Sequence, residues 1–533
     1  MSITVGRYLV GLLAANGIDT VFGIPGVHTL ELYRGLADSR IRHILVRHEQ
    51  GAGFAADGYA RISGRPAAAF VISGPGLTNI LTAAAQAYSD SVPLLVVAST
   101  PVRASLGMQW GVLHELRDQQ AVAAGIFGAA RSARSAEDVR EHLRACLAQL
   151  RAARPRPAYL EIPLDLLAET TSLQPERFAD DRFVPQAEPA AIDAALRLLA
   201  GAERPMIIAG GGARAAAGEL RTLVESIDAL LVTTAAGKGA LAETHSANLG
   251  ASLPYRETQM LIAAADVVVA VGTELAETDI YWSLRLPIAG RLIRIDVDPL
   301  KLTDHYAAAV PIFGDARTTL QAINRGLTAR TGWKTSVGGA ARVRTQIESG
   351  WTAAAKAQAN ALACIDAALP ADATVFSDMT QIAYLGSYAF PSDAPGRWFH
   401  PSGYGTLGYA LPAALGAKLA SPARAVLALS GDFGLQFTFG ELMTAVEAGL
   451  SLPVVVWNNA ALGQIRDDMI AADIPPLGVV ARNPDFVSLA RACGARALRA
   501  STASQLTAAI RAALDLDGPT LIEIDSADFL ERR

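Results

Sequence analysis

The stretch Ser430-Gly431-Asp432-Phe433-Gly434, with Trp457-Asn458-Asn459 beyond it, decides the fold of this chain. A strand rich in Ala, Val and Leu, Arg424 to Leu429, runs into Gly431. A helix is expected over Glu441 to Gly449 and a buried strand over Pro453 to Trp457. That order is a strand–helix–strand unit of the kind that joins parallel strands. Parallel strands bring their C-terminal ends to one edge of a sheet, where α/β proteins bind ligands. Asp432 and Asn459 are therefore expected to meet at one edge. A carboxylate, a side-chain carbonyl and a nearby backbone carbonyl form a hard oxygen set, suited to Mg²⁺ holding a diphosphate. Spacing alone leaves a plainer reading open, a strand-end acid beside a turn of two asparagines.

The same alternation extends outward over the 533 residues. An amphipathic first helix lies within Met1 to Gly17. Strands are expected at Thr20–Gly23, Ile41–Val46, Ala67–Ile72 and Pro93–Ala98, with a helix over Gly51–Ile62. A second series has strands at Pro205–Ala209, Ala229–Thr234, Val267–Val271 and Leu292–Asp296, and ends near Leu327. A stretch rich in Pro, Asp and Glu, Leu164 to Pro189, and a Gly-, Thr- and Ser-rich one, Thr331 to Ala341, read as linkers. The expectation is an α/β protein of three doubly wound, mainly parallel domains, at residues 1–170, 190–328 and 347–533.

Composition narrows the function classes. A net charge of −5 gives no electrostatic case for nucleic-acid binding. No apolar run approaches the ~18–20 residues of a membrane span. The N-terminus reads as a helix rather than a signal peptide. Cys146, Cys364 and Cys493 form neither a metal-binding spacing nor a disulfide framework, so a cytoplasmic location is expected.

Glu49 is the second chemical candidate. It lies in Arg47-His48-Glu49-Gln50-Gly51-Ala52-Gly53, after a strand and before a helix. An acid there is favoured by the helix dipole whatever else it does. Taken with Phe22-Gly23-Ile24-Pro25-Gly26, Ser73-Gly74-Pro75-Gly76, Gly403-Tyr404-Gly405-Thr406-Leu407-Gly408 and the Asp432–Asn459 pair, it makes a specific set in a specific order. The chain resembles the thiamine diphosphate enzymes of the acetolactate synthase and 2-oxo acid decarboxylase superfamily. The resemblance implies a pyrimidine-binding N-terminal domain, a central domain and a diphosphate-binding C-terminal domain. It implies that Glu49 hydrogen-bonds N1′ of the aminopyrimidine, so that N4′ can remove the thiazolium C2 proton. It further implies that Leu407 supports the bent cofactor and that the Gly405 carbonyl accepts from N4′. Gly26, Gln381 and Gly431 fall at cofactor-contacting positions. Asp432, the side chain of Asn459 and the carbonyl of Ala461 match the Mg²⁺ ligands. One position departs from the pattern: Phe433 stands where the motif usually has a small residue. Its N–H can still donate, provided the side chain turns away.

The segment after Asn459 reads Ala460-Ala461-Leu462-Gly463-Gln464-Ile465-Arg466-Asp467-Asp468. Asp468 falls where acetolactate synthases carry a pocket-shaping tryptophan. A carboxylate there suits a cationic substrate tail, and a guanidinium can pair with it through two bonds. Asp467 and Asp468 could equally lie on a solvated helix face near Arg466. With Gly26-Val27-His28-Thr29 and Leu113-His114-Glu115, the segment is most similar to the 5-guanidino-2-oxopentanoate (2-ketoarginine) decarboxylases of arginine catabolism. The substrate contacts would be Asp468 and Gln464. His28 and His114 would deliver a proton or shape the pocket. Val271-Gly272-Thr273-Glu274-Leu275 lacks the Arg-Phe-Asp-Asp-Arg run of acetolactate synthases, which argues against a retained flavin. The Gly210-Gly211-Gly212 cluster reads as a turn rather than a dinucleotide site. The expected reaction is a decarboxylation giving 4-guanidinobutanal and CO₂. The alternatives are carboligation of pyruvate and a non-catalytic member. By resemblance the cofactor spans two subunits, implying a homodimer at least and a homotetramer by analogy, acting on a small 2-oxo acid with no nucleic-acid or membrane partner.

Overall fold

The computed structural model describes residues 2–152, 154–179, 183–281, 284–328 and 339–531. Three parallel sheets organise it. The N-terminal sheet has six strands in the spatial order Arg42–Leu45, Thr20–Gly23, Ala67–Val71, Leu94–Thr100, Ala158–Pro163, Ala129–Ser132. The central sheet runs Leu230–Thr233, Pro205–Ala209, Val267–Val271, Arg291–Asp296, Val310–Phe313. The C-terminal sheet runs Trp398–Phe399, Thr374–Ser377, Val426–Gly431, Pro453–Asn458, Thr520–Asp525, Arg496–Arg499. Most of the inner strands are buried throughout, which is why they read as unbroken apolar runs rather than alternating ones.

The helix Glu49–Ser63 follows the second strand of the N-terminal sheet, and Ala410–Ala420 follows the second strand of the C-terminal sheet. These two helices pack on each other with glycine at their closest points. A Cβ on Gly58 would overlap the carbonyl of Ala413, and one on Gly416 would overlap the carbonyl of Ala55. The abundance of Ala and Gly here lets two helix backbones touch, and one apolar core runs from Phe22 and Ala56 through Tyr409 and Ala413 to Val454. The central sheet has its own core around Ile207, Leu223 and Val269.

Three local readings change. The expected first linker opens with a helix, Leu164–Ala168, and a short strand, Thr170–Thr171, paired antiparallel with Ile3–Thr4. Most of the expected second linker, residues 331–338, lies outside the described residues, and Ala340–Ser349 is a helix. A short helix, Asp432–Thr438, lies between Gly431 and the expected helix, which spans Glu441–Glu447. Among the described residues no helix is long and apolar enough to cross a membrane.

Candidate functional site

Val426–Gly431 and Pro453–Asn458 are adjacent parallel strands, with Gly431 beside Trp457. Asp432 and Asn459 therefore leave the same sheet edge one residue beyond their strands. Asp432 is buried, and its Oδ2 accepts from Asn483 Nδ2 at 2.6 Å. The same amide donates to Asn458 Oδ1 at 2.9 Å. Burial pushes the Asp432 carboxyl up from the ordinary Asp range, while Asn483 and the backbone N–H groups of Phe433 and Ala460 pull it down. Those partners are all neutral donors, so the carboxylate brings a negative charge that no described side chain cancels. That fits a bound divalent cation.

Asn459 Oδ1 accepts the N–H of Ala461 at 3.1 Å and keeps a second lone pair. Ala460 between them takes φ of +50°, a left-handed turn at a residue with a Cβ. Asn459 Nδ2 donates to Gln381 Oε1 at 3.3 Å, and Gln381 Nε2 donates to Asp467 Oδ2 at 2.8 Å. Gly463 makes room for this meeting: a Cβ there would lie 2.6 Å from Asn459 Nδ2 and overlap Gln381 Oε1. The two acids after it separate. Asp467 is exposed and pairs with Arg466, whereas Asp468 is half-buried and accepts from Gln464 Nε2 at 2.9 Å. Tyr384 lies within electrostatic reach of Asp468. Its phenol is pushed up to about 12, by burial first and then by Asp378 and Asp468.

The loop with Gly405 and Leu407 is tied to the same edge. Gly405 and Gly408 take φ of +73° and +86°, the left-handed region where glycine is free of strain. Gly408 N–H donates to both oxygens of Asp378, at 3.0 and 3.1 Å, and Ser430 Oγ donates to Asp378 Oδ2 at 3.1 Å. Asp378, whose side chain has no role in the sequence reading, thus joins the 405–408 loop to the strand that ends at Gly431. Burial pushes its carboxyl up to about 6.

At the edge of the N-terminal sheet, Glu49 is the first residue of its helix, and His48 caps it by accepting from the Gln50 N–H. Glu49 is buried, and its Oε2 accepts from Asn79 Nδ2 at 2.9 Å. His28 Nδ1 lies 2.5 Å from Ser73 Oγ, and its ring meets that of His114 edge to face at 4.9 Å. The structure thus brings together two histidines that are 86 positions apart. Burial, and then His114, hold His28 below the ordinary His range. His114 takes φ of +62°, and its Nδ1 is buried without a hydrogen-bond partner. Gly26 starts the turn that carries His28, its N–H donating to Thr29 Oγ1 at 3.0 Å.

In the central domain a Cβ on Gly210 would overlap the Gly272 carbonyl, and Gly212 packs on Gly272 Cα. Gly211–Ala216 forms a short 3-10 helix after these close loop contacts.

Sequence comparisons agree with this layout. Residues 3–122 match the N-terminal TPP binding domain of the thiamine pyrophosphate enzymes, 192–323 their central domain and 378–524 their C-terminal TPP binding domain. A probable 2-ketoarginine decarboxylase of Pseudomonas aeruginosa is 51% identical over 99% of this chain and 94% of its own. The acetolactate synthase isozyme 3 large subunit of Escherichia coli is 31% identical over 94% of this chain and 91% of its own. An acetolactate synthase of Mycobacterium bovis is 30% identical over 98% and 88%. With all three domains matched in order, and with a relative of this identity over nearly its whole length, the chain belongs to the thiamine pyrophosphate enzyme family.

Proposed function

We propose that this protein decarboxylates a basic 2-oxo acid, 5-guanidino-2-oxopentanoate, to 4-guanidinobutanal and CO₂, using thiamine diphosphate and Mg²⁺. The observation that carries the substrate class is Asp468. It is a half-buried carboxylate at the edge shared by Asp432, Asn459 and Gln381, and its hydrogen-bond partner is an amide. A guanidinium supplies the charge and the donors that such a carboxylate calls for. The relative named as a probable 2-ketoarginine decarboxylase supports the same reading.

When bound, thiamine diphosphate supplies a thiazolium carbon that adds to the 2-oxo group and takes up the electron pair left when CO₂ departs. The protein's part is to hold and to move protons. Glu49, held by Asn79 in a buried position, would share a proton with N1′ of the pyrimidine. The Gly405 carbonyl would accept from N4′, and Leu407 would support the cofactor. Asp432, Asn459 Oδ1 and the Ala461 carbonyl would hold Mg²⁺, with Gly431 and Gln381 available to the diphosphate. Asp468, with Gln464, binds the substrate's guanidinium. His28 and His114 pass a proton to the reacting carbon: one C–C bond breaks, one C–H bond forms, and one proton is consumed.

The two edges serve one site through two copies of the chain. Large apolar side chains stand exposed beside several of the candidate residues. Val27 and Leu30 flank His28, Trp110 and Leu113 precede His114, Tyr404 adjoins Gly405 and Ile465 adjoins Gln464. Such patches mark a surface that a partner covers, which supports a homodimer and, by family analogy, a homotetramer. The three cysteines are free thiols, in keeping with a cytoplasmic enzyme.

The test is a panel of 5-guanidino-2-oxopentanoate, unbranched neutral 2-oxo acids and pyruvate, each run with and without thiamine diphosphate and Mg²⁺. CO₂ and aldehyde from the guanidino acid, dependent on both additions, are expected. Acetolactate-type products from pyruvate as the main outcome would overturn the proposal in favour of carboligation. Asp468→Asn is expected to remove the preference for the guanidino acid, and an unchanged preference would refute the pocket assignment.

A further inference from the structure

We propose that Glu441, on the C-terminal domain, is a positioning residue for Glu49 of the same chain, fixing the backbone from which the Glu49 carboxylate projects. Glu441 is buried, with 1% of its surface exposed, at the start of the helix Glu441–Glu447. Its Oε1 accepts the N–H of Arg47 at 3.0 Å and that of His48 at 3.1 Å, the two residues before Glu49. Its Oε2 accepts from Thr444 Oγ1 at 2.8 Å, which orients the carboxylate. On the other side of Glu49, a Cβ on Gly51 would overlap Glu441 Oε1, so the absence of a side chain at 51 is what admits the carboxylate. Arg47 also pairs with Glu447, and Gly440 packs on the Arg47 stem. Contacts from residues 440–447 thus converge on residues 47, 48 and 51, on both sides of Glu49.

The physical case rests on helix entry. The N–H groups of Arg47 and His48 precede the helix and have no place in its ladder, so they need an acceptor. A carboxylate gives them a charge-assisted one and stands near the positive end of the helix dipole. Asn79 then fixes the side chain of Glu49, while Glu441 fixes the main chain under it. A proton-holding carboxylate works only if its oxygen meets one atom of the cofactor, and displacements of about 1 Å can lower turnover ~100-fold. The segment that opens with Asp432 therefore closes, nine positions later, against the backbone of Glu49.

The inference rests on the role given to Glu49 under Proposed function, and the experiment separates the two. Glu441→Ala, Glu441→Gln, Gly51→Ala and the double variant Gly51→Ala/Glu441→Ala are compared by hydrogen exchange of the 47–50 amides in the cofactor-free protein and by steady-state kinetics. Glu441→Ala is expected to raise exchange at Arg47 and His48 and to lower kcat by roughly 10–100-fold with KM nearly unchanged. Glu441→Gln keeps an acceptor oxygen and is expected to restore most of both. Gly51→Ala pushes the Glu441 carboxylate aside and is expected to act in the same direction as Glu441→Ala. In the Glu441→Ala background it should add little, because the space is already free. Raised exchange with unchanged kcat would overturn the proposal, as would effects of the two substitutions that multiply. If Glu441→Ala does not fold, Gly51→Ala and Glu441→Gln decide by the same readouts. Should Glu49→Gln leave turnover intact, the reading of Glu49 fails, while the exchange results still report whether Glu441 holds that backbone.

Discussion

Numbered in chain order, the strands of the N-terminal and C-terminal sheets follow one spatial order, 2-1-3-4-6-5. In both, the order reverses between the first and third strands, the place where such sheets bind ligands. Both are bridged there by a side-chain hydrogen bond: His28 with Ser73 in one, Ser430 to Asp378 in the other. The helix after the second strand of each packs on its counterpart, glycine against backbone. The chemistry nonetheless differs. One edge presents imidazoles and a carboxylate held by an amide; the other presents carboxylates, amides and carbonyls suited to a cation. Scaffold geometry sets where a site can form, and the loop residues set what it does there.

If the edges have these distinct duties, removing one group from each should break different steps. The largest effect is expected at Glu49. Glu49→Gln keeps the shape and the contact with Asn79 but cannot hold the proton in the same way. Turnover should fall by roughly 10²–10⁴-fold with Mg²⁺ binding unchanged, measured by single-turnover kinetics and metal titration. At the other edge, Asn483→Ala removes the amide that holds both Asp432 and Asn458. Affinity for Mg²⁺ should fall about 10–100-fold, as is usual when a ligand loses its outer support. Excess Mg²⁺ should then restore activity, which it cannot do for Glu49→Gln.

Much of this layout was legible before the structure. Buried parallel strands are short apolar runs closed by Gly, Asn or Asp, so Thr20–Gly23, Pro205–Ala209 and Val267–Val271 read directly from the chain. Asp432 and Asn459 were legible because strand ends of one sheet must share an edge. The helix Asp432–Thr438 was not, because its Gly-Asp-Phe-Gly start has the composition of a turn and its form depends on what packs over it. Asn483 sits in Arg482-Asn483-Pro484-Asp485, a loop sequence with no periodicity, and reaches Asp432 only through tertiary folding. Glu441 looked like any acid in the first turn of a helix. Only its contacts with Arg47, His48 and Gly51 tell it apart.

The mated helices offer a sharper test of the shared scaffold. Gly58→Ala and Gly416→Ala each place a methyl group into a carbonyl of the opposite helix. Each should destabilise the protein by about 1–3 kcal/mol, the usual range for overpacking, seen as a lower melting temperature. A silent substitution at either position would mean that the helices do not approach this closely.

The two switch points should also differ in their response to pH. Burial raises Asp378 to about 6, so its ionised form is disfavoured in the folded state. The stability it contributes is complete below the ordinary Asp range and is lost as pH rises through about 6. His28 is lowered, so its contribution is present above the ordinary His range and is lost as pH falls through the depressed value. Asp378→Asn should remove a decline on the order of 1–3 kcal/mol between pH ~4 and ~6. His28→Gln should remove a smaller decline on the acidic side. Melting temperatures across that range, compared as slopes rather than levels, check both.

Phe433 gives the smallest effect and the finest distinction between the edges. It sits in the first turn of the helix Asp432–Thr438, half-buried, with its N–H directed at Asp432. Glycine at this position would keep that N–H and let the backbone approach a diphosphate more freely. It would also weaken the helix by about 0.5 kcal/mol through backbone propensity. Phe433→Gly should therefore lower the melting temperature slightly while leaving thiamine diphosphate affinity unchanged or a few-fold tighter, by direct titration. A clear loss of affinity would show the opposite: that the buried face of Phe433 braces the loop that carries Asp432, and that this edge relies on a bulky residue where glycine would otherwise serve.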